Sequence, residues 1–208
     1  VAVACAFFLS IPAGAAADKP VRIVALGDSL MAGYELAAPD AFAAQLEKAL
    51  KAKGIDASIE NAGVSGDTAS GGLSRLDWSV PDGTDAVIVE LGANDMLRGI
   101  DPSVTRDALE KIIVRLKERG IAVLLAGMRA APNLGTDYAG RFDAIYPELA
   151  AKHGVVFQAF FLDGVAARPN LLLRDGMHPN ADGVKSIVAG LLPKAEELIA
   201  RVRARRGT

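Results

Sequence analysis

The sequence predicts an α/β fold: a five-stranded parallel sheet covered by helices on both faces. Two observations carry this. Short apolar runs alternate with longer stretches of helical period, and strands separated by helices require crossover connections in a parallel sheet. The composition agrees, since 51% hydrophobic and 23% charged residues in 208 give a globular balance with enough chain for one sizeable core.

Val21 to Leu26 (VRIVAL) reads as a buried strand stopped by Gly27. Ala41 to Lys53 places Phe42, Leu46 and Leu50 four residues apart, one face of a helix that Gly54 ends. Ala57 to Glu60 is a short second strand, and Ala86 to Leu91 (AVIVEL) a third, closed by Gly92. Thr105 to Arg119 repeats the helical spacing with Leu109, Ile112, Ile113 and Leu116 before Gly120. Ile121 to Ala126 is the fourth strand. Tyr138 to Lys152 is helical, with a kink expected at Pro147. Val155 to Phe161 is the fifth strand, and Ala181 to Arg203 the last helix, with Pro193 a second expected kink.

Val1 to Ala17 carries no charge and ends in Ala15-Ala16-Ala17 ahead of Asp18-Lys19-Pro20. This reads as the apolar core and cleavage site of a signal peptide whose basic start is missing, as in a truncated precursor. Residues 18–208 then form a single domain, periplasmic or secreted. Pro12 and Gly14 weaken the stretch as a membrane-spanning helix, so no stable span is expected in the mature form. Lipidation at Cys5 is the rival reading, but the apolar run continues well past that residue; a buried first helix is another.

Cys5 is the sole cysteine, so a processed chain has neither disulfide nor thiol chemistry. The two histidines, His153 and His178, are far apart and no Cys/His cluster exists, so no metal or cofactor is expected. Lys plus Arg (23) against Asp plus Glu (25) gives a net charge of −2, which offers no electrostatic reason to expect nucleic acid. Arg201, Arg203, Arg205 and Arg206 sit where cations complement a helix C-terminus.

Functional groups in open α/β sheets gather beyond the carboxyl ends of the strands. Four polar segments lie at such positions: Gly27-Asp28-Ser29-Leu30, Asn61 to Thr68, Gly92-Ala93-Asn94-Asp95, and Asp175-Gly176-Met177-His178-Pro179 before the last helix. Each alone is an ordinary turn or cap pattern. Together they hold the parts of an acyl-transfer site. A serine hydroxyl needs a base to take its proton, and a carboxylate fixes the tautomer and orientation of an imidazole base. His178, three residues after Asp175, supplies base and orienter from one loop; His153, the rival base, ends a helical pattern, where it reads as a surface or capping group. The backbone N–H of Ser29, that of Gly66 and the Asn94 amide are candidate donors to a developing oxyanion.

The four segments resemble the four blocks of the SGNH hydrolase superfamily, the GDSL esterases, over nearly all of the chain from Val21 onward. VELGANDMLRG, AIYPELA and RDGMHPN are most similar to its bacterial thioesterase I/lysophospholipase L1 and arylesterase branch. The resemblance implies a flavodoxin-like three-layer α/β/α sandwich. It implies Ser29 as nucleophile, His178 as base, Asp175 as its partner, and an oxyanion hole of Ser29, Gly66 and Asn94. The activity implied is hydrolysis of small-molecule esters or thioesters without a cofactor. Met96, Leu97, Ile100, Leu134 and Tyr138 are candidate walls of the acyl pocket, because they follow the third and fourth strands. Asp28, Asp67 and Asp95 read as loop-bracing carboxylates. Two rival functions stay open here: a carbohydrate O-acetyl esterase of the same fold, and a flavodoxin-like binding domain without catalysis.

Overall fold

The computed structural model describes residues 19–207, so the apolar stretch read as a signal peptide, with Cys5, lies outside the described residues. Five strands, β1 (Val21–Gly27), β2 (Ala57–Gly63), β3 (Ala86–Glu90), β4 (Ala122–Ala126) and β5 (Val156–Gln158), form one all-parallel sheet in the order β2-β1-β3-β4-β5. That is the flavodoxin-like order, and its reversal of direction falls between β1 and β3. β3 and β4 are buried along their whole length, which explains their apolar runs, Glu90 at the end of β3 being the exception. β2 is an edge strand and reads polar; the Glu47 carboxylate accepts the Ile59 N–H at 2.8 Å and so covers part of that edge.

The helices are α1 (Ser29–Ala32), α2 (Phe42–Ala52), α3 (Ala69–Ser74), α4 (Leu76–Ser79), α5 (Ala93–Leu97), α6 (Pro102–Glu118), α7 (Thr136–Asp143), α8 (Ile145–His153) and α9 (Ala181–Arg206). One layer packs α1 and α2 on β2, with α9 against α2 and on β3, β4 and β5; the other places α6 and α8 on β4, with α3 on α6. Leu46 and Leu50 of α2 are fully buried, as their spacing predicts, each contributing about 2 kcal/mol. No helix among the described residues is long and apolar enough to cross a membrane.

Four differences from the sequence reading have physical causes. β2 runs on to Gly63, because its last three residues pair with Ala25, Leu26 and Gly27 despite their turn-like composition. β5 is shorter: past Gln158 the chain still bonds to Gly127, through Gly127 N to Gln158 O and Phe161 N to Gly127 O (both 2.8 Å), outside the regular ladder. The stretch from Tyr138 to Lys152 is two helices that break at Ala144, not at Pro147. The proline sits in the first turn of α8, and the carbonyl its ring displaces is that of Asp143, where α7 stops. α9, by contrast, runs through Pro193. The carbonyl four residues back is that of Ala189, an exposed residue, so water can take the lost bond.

Candidate active site

The register puts Gly63, Gly27, Glu90, Ala126 and Gln158 on one row across the carboxyl edge of the sheet. The segments after β1, β2 and β3 therefore leave the sheet at the same level, and β1 and β3 flank the point where strand order reverses. Only a glycine fits at position 27. A Cβ there would lie 2.7 Å from the Glu90 carbonyl oxygen, from its side-chain Oε2 and from Met31 Cβ.

Ser29 is the first residue of α1, so its N–H has no intrahelical partner. Asp28 caps the helix, its Oδ1 accepting the Leu30 N–H at 3.0 Å. The Ser29 hydroxyl lies 2.8 Å from His178 Nε2, and His178 Nδ1 lies 2.6 Å from Asp175 Oδ2. The Asp175–His178 loop is closed at its base by Leu173 N to His178 O (2.7 Å) and by an antiparallel bridge between Leu172 and Pro179. The second carboxylate oxygen of Asp175 accepts the N–H groups of Met177 (2.9 Å) and His178 (3.0 Å). The Met177 N–H first, then His178, hold this carboxyl down at about 2, so it is ionised at any ordinary pH. His153 lies elsewhere, its Nε2 paired with Glu110 at 2.9 Å.

Gly66 is the third residue of a turn closed by Asp67 N to Val64 O at 3.1 Å, and its φ of +87° lies in the left-handed region that glycine adopts without steric cost. Its own Cβ would meet only Arg98 Nη2, at 3.6 Å, so backbone conformation and not crowding requires the glycine. Asn94 lies in the first turn of α5. Its amide donates to Asp28 Oδ2 (3.1 Å) and to the Asp67 carbonyl (2.9 Å), so an arriving oxyanion would share a hydrogen that already has an acceptor. Asp95, fully buried, braces the same helix by accepting from Ala69 N (2.8 Å) and Thr105 Oγ1 (3.0 Å).

Arg75 is the tie that sequence reasoning missed. Only 6% exposed, it pairs with Asp67 (Nε to Oδ2, 2.5 Å) and donates to the carbonyls of Ala62 (2.8 Å) and Gly27 (2.9 Å) and to Ser79 Oγ (3.0 Å). One guanidinium thus joins the ends of β1 and β2 and the Gly66–Asp67 turn. Arg75→Met will leave the Asp67 carboxylate without its ion-pair partner and take a donor from two strand-end carbonyls, costing about 3–5 kcal/mol. Urea denaturation measures this, and an unmoved midpoint would contradict the role. An arginine between two short helical pieces carries no local signature.

Beneath the nucleophile turn lie two buried carboxyls. Glu90 is fully buried with Oε1 unpartnered among the described residues, and its Oε2 is 3.5 Å from the Asp28 N–H. Burial pushes Glu90 well above the carboxylate range, and the nearby Asp28 adds to it. Burial also raises Asp28 to about 6, against the opposing pull of the Leu30 N–H and the Asn94 amide. An unfolded Asp28 titrates at the ordinary 3.8, so between that value and about 6 the folded chain holds the extra proton. Its contribution to stability is complete below about pH 4 and is lost as pH rises to about 6. In Asp28→Asn this falling component disappears. Urea midpoints at pH 4, 5 and 6 report it, and identical pH slopes in both proteins would refute it.

A cleft of about 720 Å³ opens beside Ser29 and His178. Met96 and Leu97 line it, but Ile100, Leu134 and Tyr138 do not. Tyr138 instead donates its hydroxyl to the Ile100 carbonyl (2.9 Å) and stacks on Phe142 (5.9 Å), locking the loop after α5 onto α7; Leu134 packs against the core. The walls that the sequence did not single out are Tyr34, whose ring lies 4.4 Å from that of His178, and Met128, Arg129, Phe160, Leu162 and Leu172. The strand-end rule, extended to β4 and β5, points to Met128, Arg129, Phe160 and Leu162.

The sequence profile of the GDSL-like lipase/acylhydrolase family matches residues 25–185. An arylesterase of Vibrio mimicus is 38% identical over 169 residues, 81% of this chain and 84% of the relative. The thioesterase 1/protease 1/lysophospholipase L1 of Escherichia coli (strain K12) is 37% identical over 186 residues, 89% of this chain and 86% of its own. Among solved structures, AlinE4, an SGNH-hydrolase family esterase, superposes with a TM-score of 0.73 at 46% identity, covering 86% of this chain and 96% of that one.

Proposed function

The chain belongs to the GDSL-like lipase/acylhydrolase family and is a carboxylic ester hydrolase, and on that premise we propose that Ser29, His178 and Asp175 are its catalytic triad. The observation that carries the assignment is the unbroken hydrogen-bond relay from Asp175 through His178 to Ser29, at 2.6 and 2.8 Å.

In this reading the Ser29 hydroxyl attacks the ester carbonyl as His178 Nε2 takes its proton, and Asp175 stabilises the imidazolium. The negative oxygen of the tetrahedral intermediate is held by the N–H groups of Ser29 and Gly66 and by the Asn94 amide. Collapse breaks the bond to the leaving group, which receives the proton from His178. Water, deprotonated by the same imidazole, then hydrolyses the acyl-serine and releases the acid. No cofactor enters this sequence.

The cleft walls, with Met96, Leu97, Met128, Phe160, Leu162 and Leu172, favour short-to-medium acyl or aryl groups over a sugar. Thioester and lysophospholipid substrates, named for the Escherichia coli relative, are further candidates. The charge-free segment from Val1 to Ala17 supports export to the periplasm or beyond. The test is a panel of p-nitrophenyl esters from acetate to palmitate, acyl-CoA, a lysophospholipid and acetylated xylan. Turnover concentrated on apolar acyl and aryl esters supports this reading; turnover of acetylated xylan alone overturns the substrate assignment.

A further inference from the structure

The cleft contains one feature that an apolar acyl group does not call for. Arg129, three residues beyond the end of β4, is among the described residues the one permanently charged side chain on its wall, and no carboxylate among them lines it. Other arginines are paired, as in Arg75 with Asp67, Arg106 with Glu148, Arg141 with Asp101 and Arg206 with Asp85. Arg129 has no ion pair among the described residues; its recorded contact is with the face of Phe160, 5.1 Å from guanidinium carbon to ring centroid. The Asp143 carboxylate makes no ion pair with Arg129 among the described residues, its Oδ1 accepting the Ala130 N–H at 2.7 Å.

A cation held over a ring face keeps its N–H donors, which lie in the guanidinium plane, for other acceptors. Because Phe160 is itself part of the cleft wall, this contact holds the solvent-exposed Arg129 side chain against the cleft. A guanidinium fork matches the oxygens of a carboxylate or phosphate in two-point contact, and low-dielectric walls focus its field on an entering anion.

We infer that Arg129 forms an anion subsite, and that the cleft selects esters bearing a carboxylate or phosphate in addition to the bond that is cleaved. This rests on the ester-hydrolase reading of Ser29 and deepens it by naming a substrate feature. The anion has two possible sources: the far end of the acyl chain, or the leaving group.

Matched substrates separate them. For the acyl side, p-nitrophenyl hydrogen adipate is compared with p-nitrophenyl hexanoate; for the leaving group, hexanoyl-CoA with hexanoyl-pantetheine. The readout is the ratio of kcat/KM for the anionic to the neutral member in the wild type, Arg129→Gln and Arg129→Lys. In Arg129→Gln one ratio falls about tenfold, the lower end for a charge-assisted bond, as suits an exposed side chain, and Lys restores part of it. The arm in which the ratio falls identifies the source. Equal ratios in wild type and Arg129→Gln on both arms overturn the subsite. Calorimetric binding of the uncleaved substrates to Ser29→Ala, with and without Arg129→Gln, decides the same question without turnover. Failure of the wild type to hydrolyse any neutral ester would instead count against the catalytic reading, leaving the binding preference to decide on Arg129.

Discussion

Ser29→Ala will lower kcat on p-nitrophenyl butyrate by about 10⁶, the loss seen when a triad loses its nucleophile. The magnitude follows from the geometry. With the hydroxyl gone, His178 Nε2 has only water to activate, and no acyl-enzyme can form to divide the reaction into two smaller barriers. A residue of about 10³–10⁴ over the uncatalysed rate should persist, because the backbone donors and the cleft remain. The fold should be untouched. Asp28, not Ser29, caps α1, so the thermal melt stays where it is while activity disappears. A pure variant that keeps wild-type turnover would remove Ser29 from the mechanism.

Asp175→Asn comes next, with an expected loss of about 10⁴ in kcat from a change of one atom. The loop dictates why. Asp175 Oδ1 is held by the N–H groups of Met177 and His178, so the carbonyl oxygen of an asparagine will take that place. Its NH₂ group then faces His178 Nδ1 and forces the imidazole proton onto Nε2. An Nε2 that carries a proton donates to Ser29 and cannot accept from it. Proton and nitrogen NMR of the imidazole reads the tautomer directly, alongside kcat. If the variant stays within about tenfold of wild type, the orienting role fails. Because the Met177 N–H and His178 hold the Asp175 carboxyl near about 2, its own titration leaves activity between pH 4 and 8 unchanged.

The elements were legible where a single pattern governs a single segment. Val21–Gly27, Ala86–Glu90 and Ala122–Ala126 are strands covered on both faces and read as apolar runs, with Arg22 and Glu90 the charged residues in them. The helix α2 shows its buried face every fourth residue. Short helices were not legible: α3, α4 and α5 each span six residues or fewer, too little chain for a period to show. The break at Ala144 was displaced from Pro147 because a proline disturbs the carbonyl four residues before it.

What the sequence by itself determined is the sheet, the glycine stops, and the four loops whose residues could serve acyl transfer, Ser29 among them. All of these depend on spacing within one element or one loop. The tertiary structure alone decided what those loops meet. It decided that Asn94 is already tethered to Asp28 and Asp67, that Arg75 joins three chain segments, and that the cleft wall runs through Met128 and Phe160 and not through Ile100 or Tyr138. A cavity wall and the Arg75 tie to the end of β1 are assembled from segments dozens of residues apart, and their geometry comes from how helices settle on the sheet, which no local period encodes.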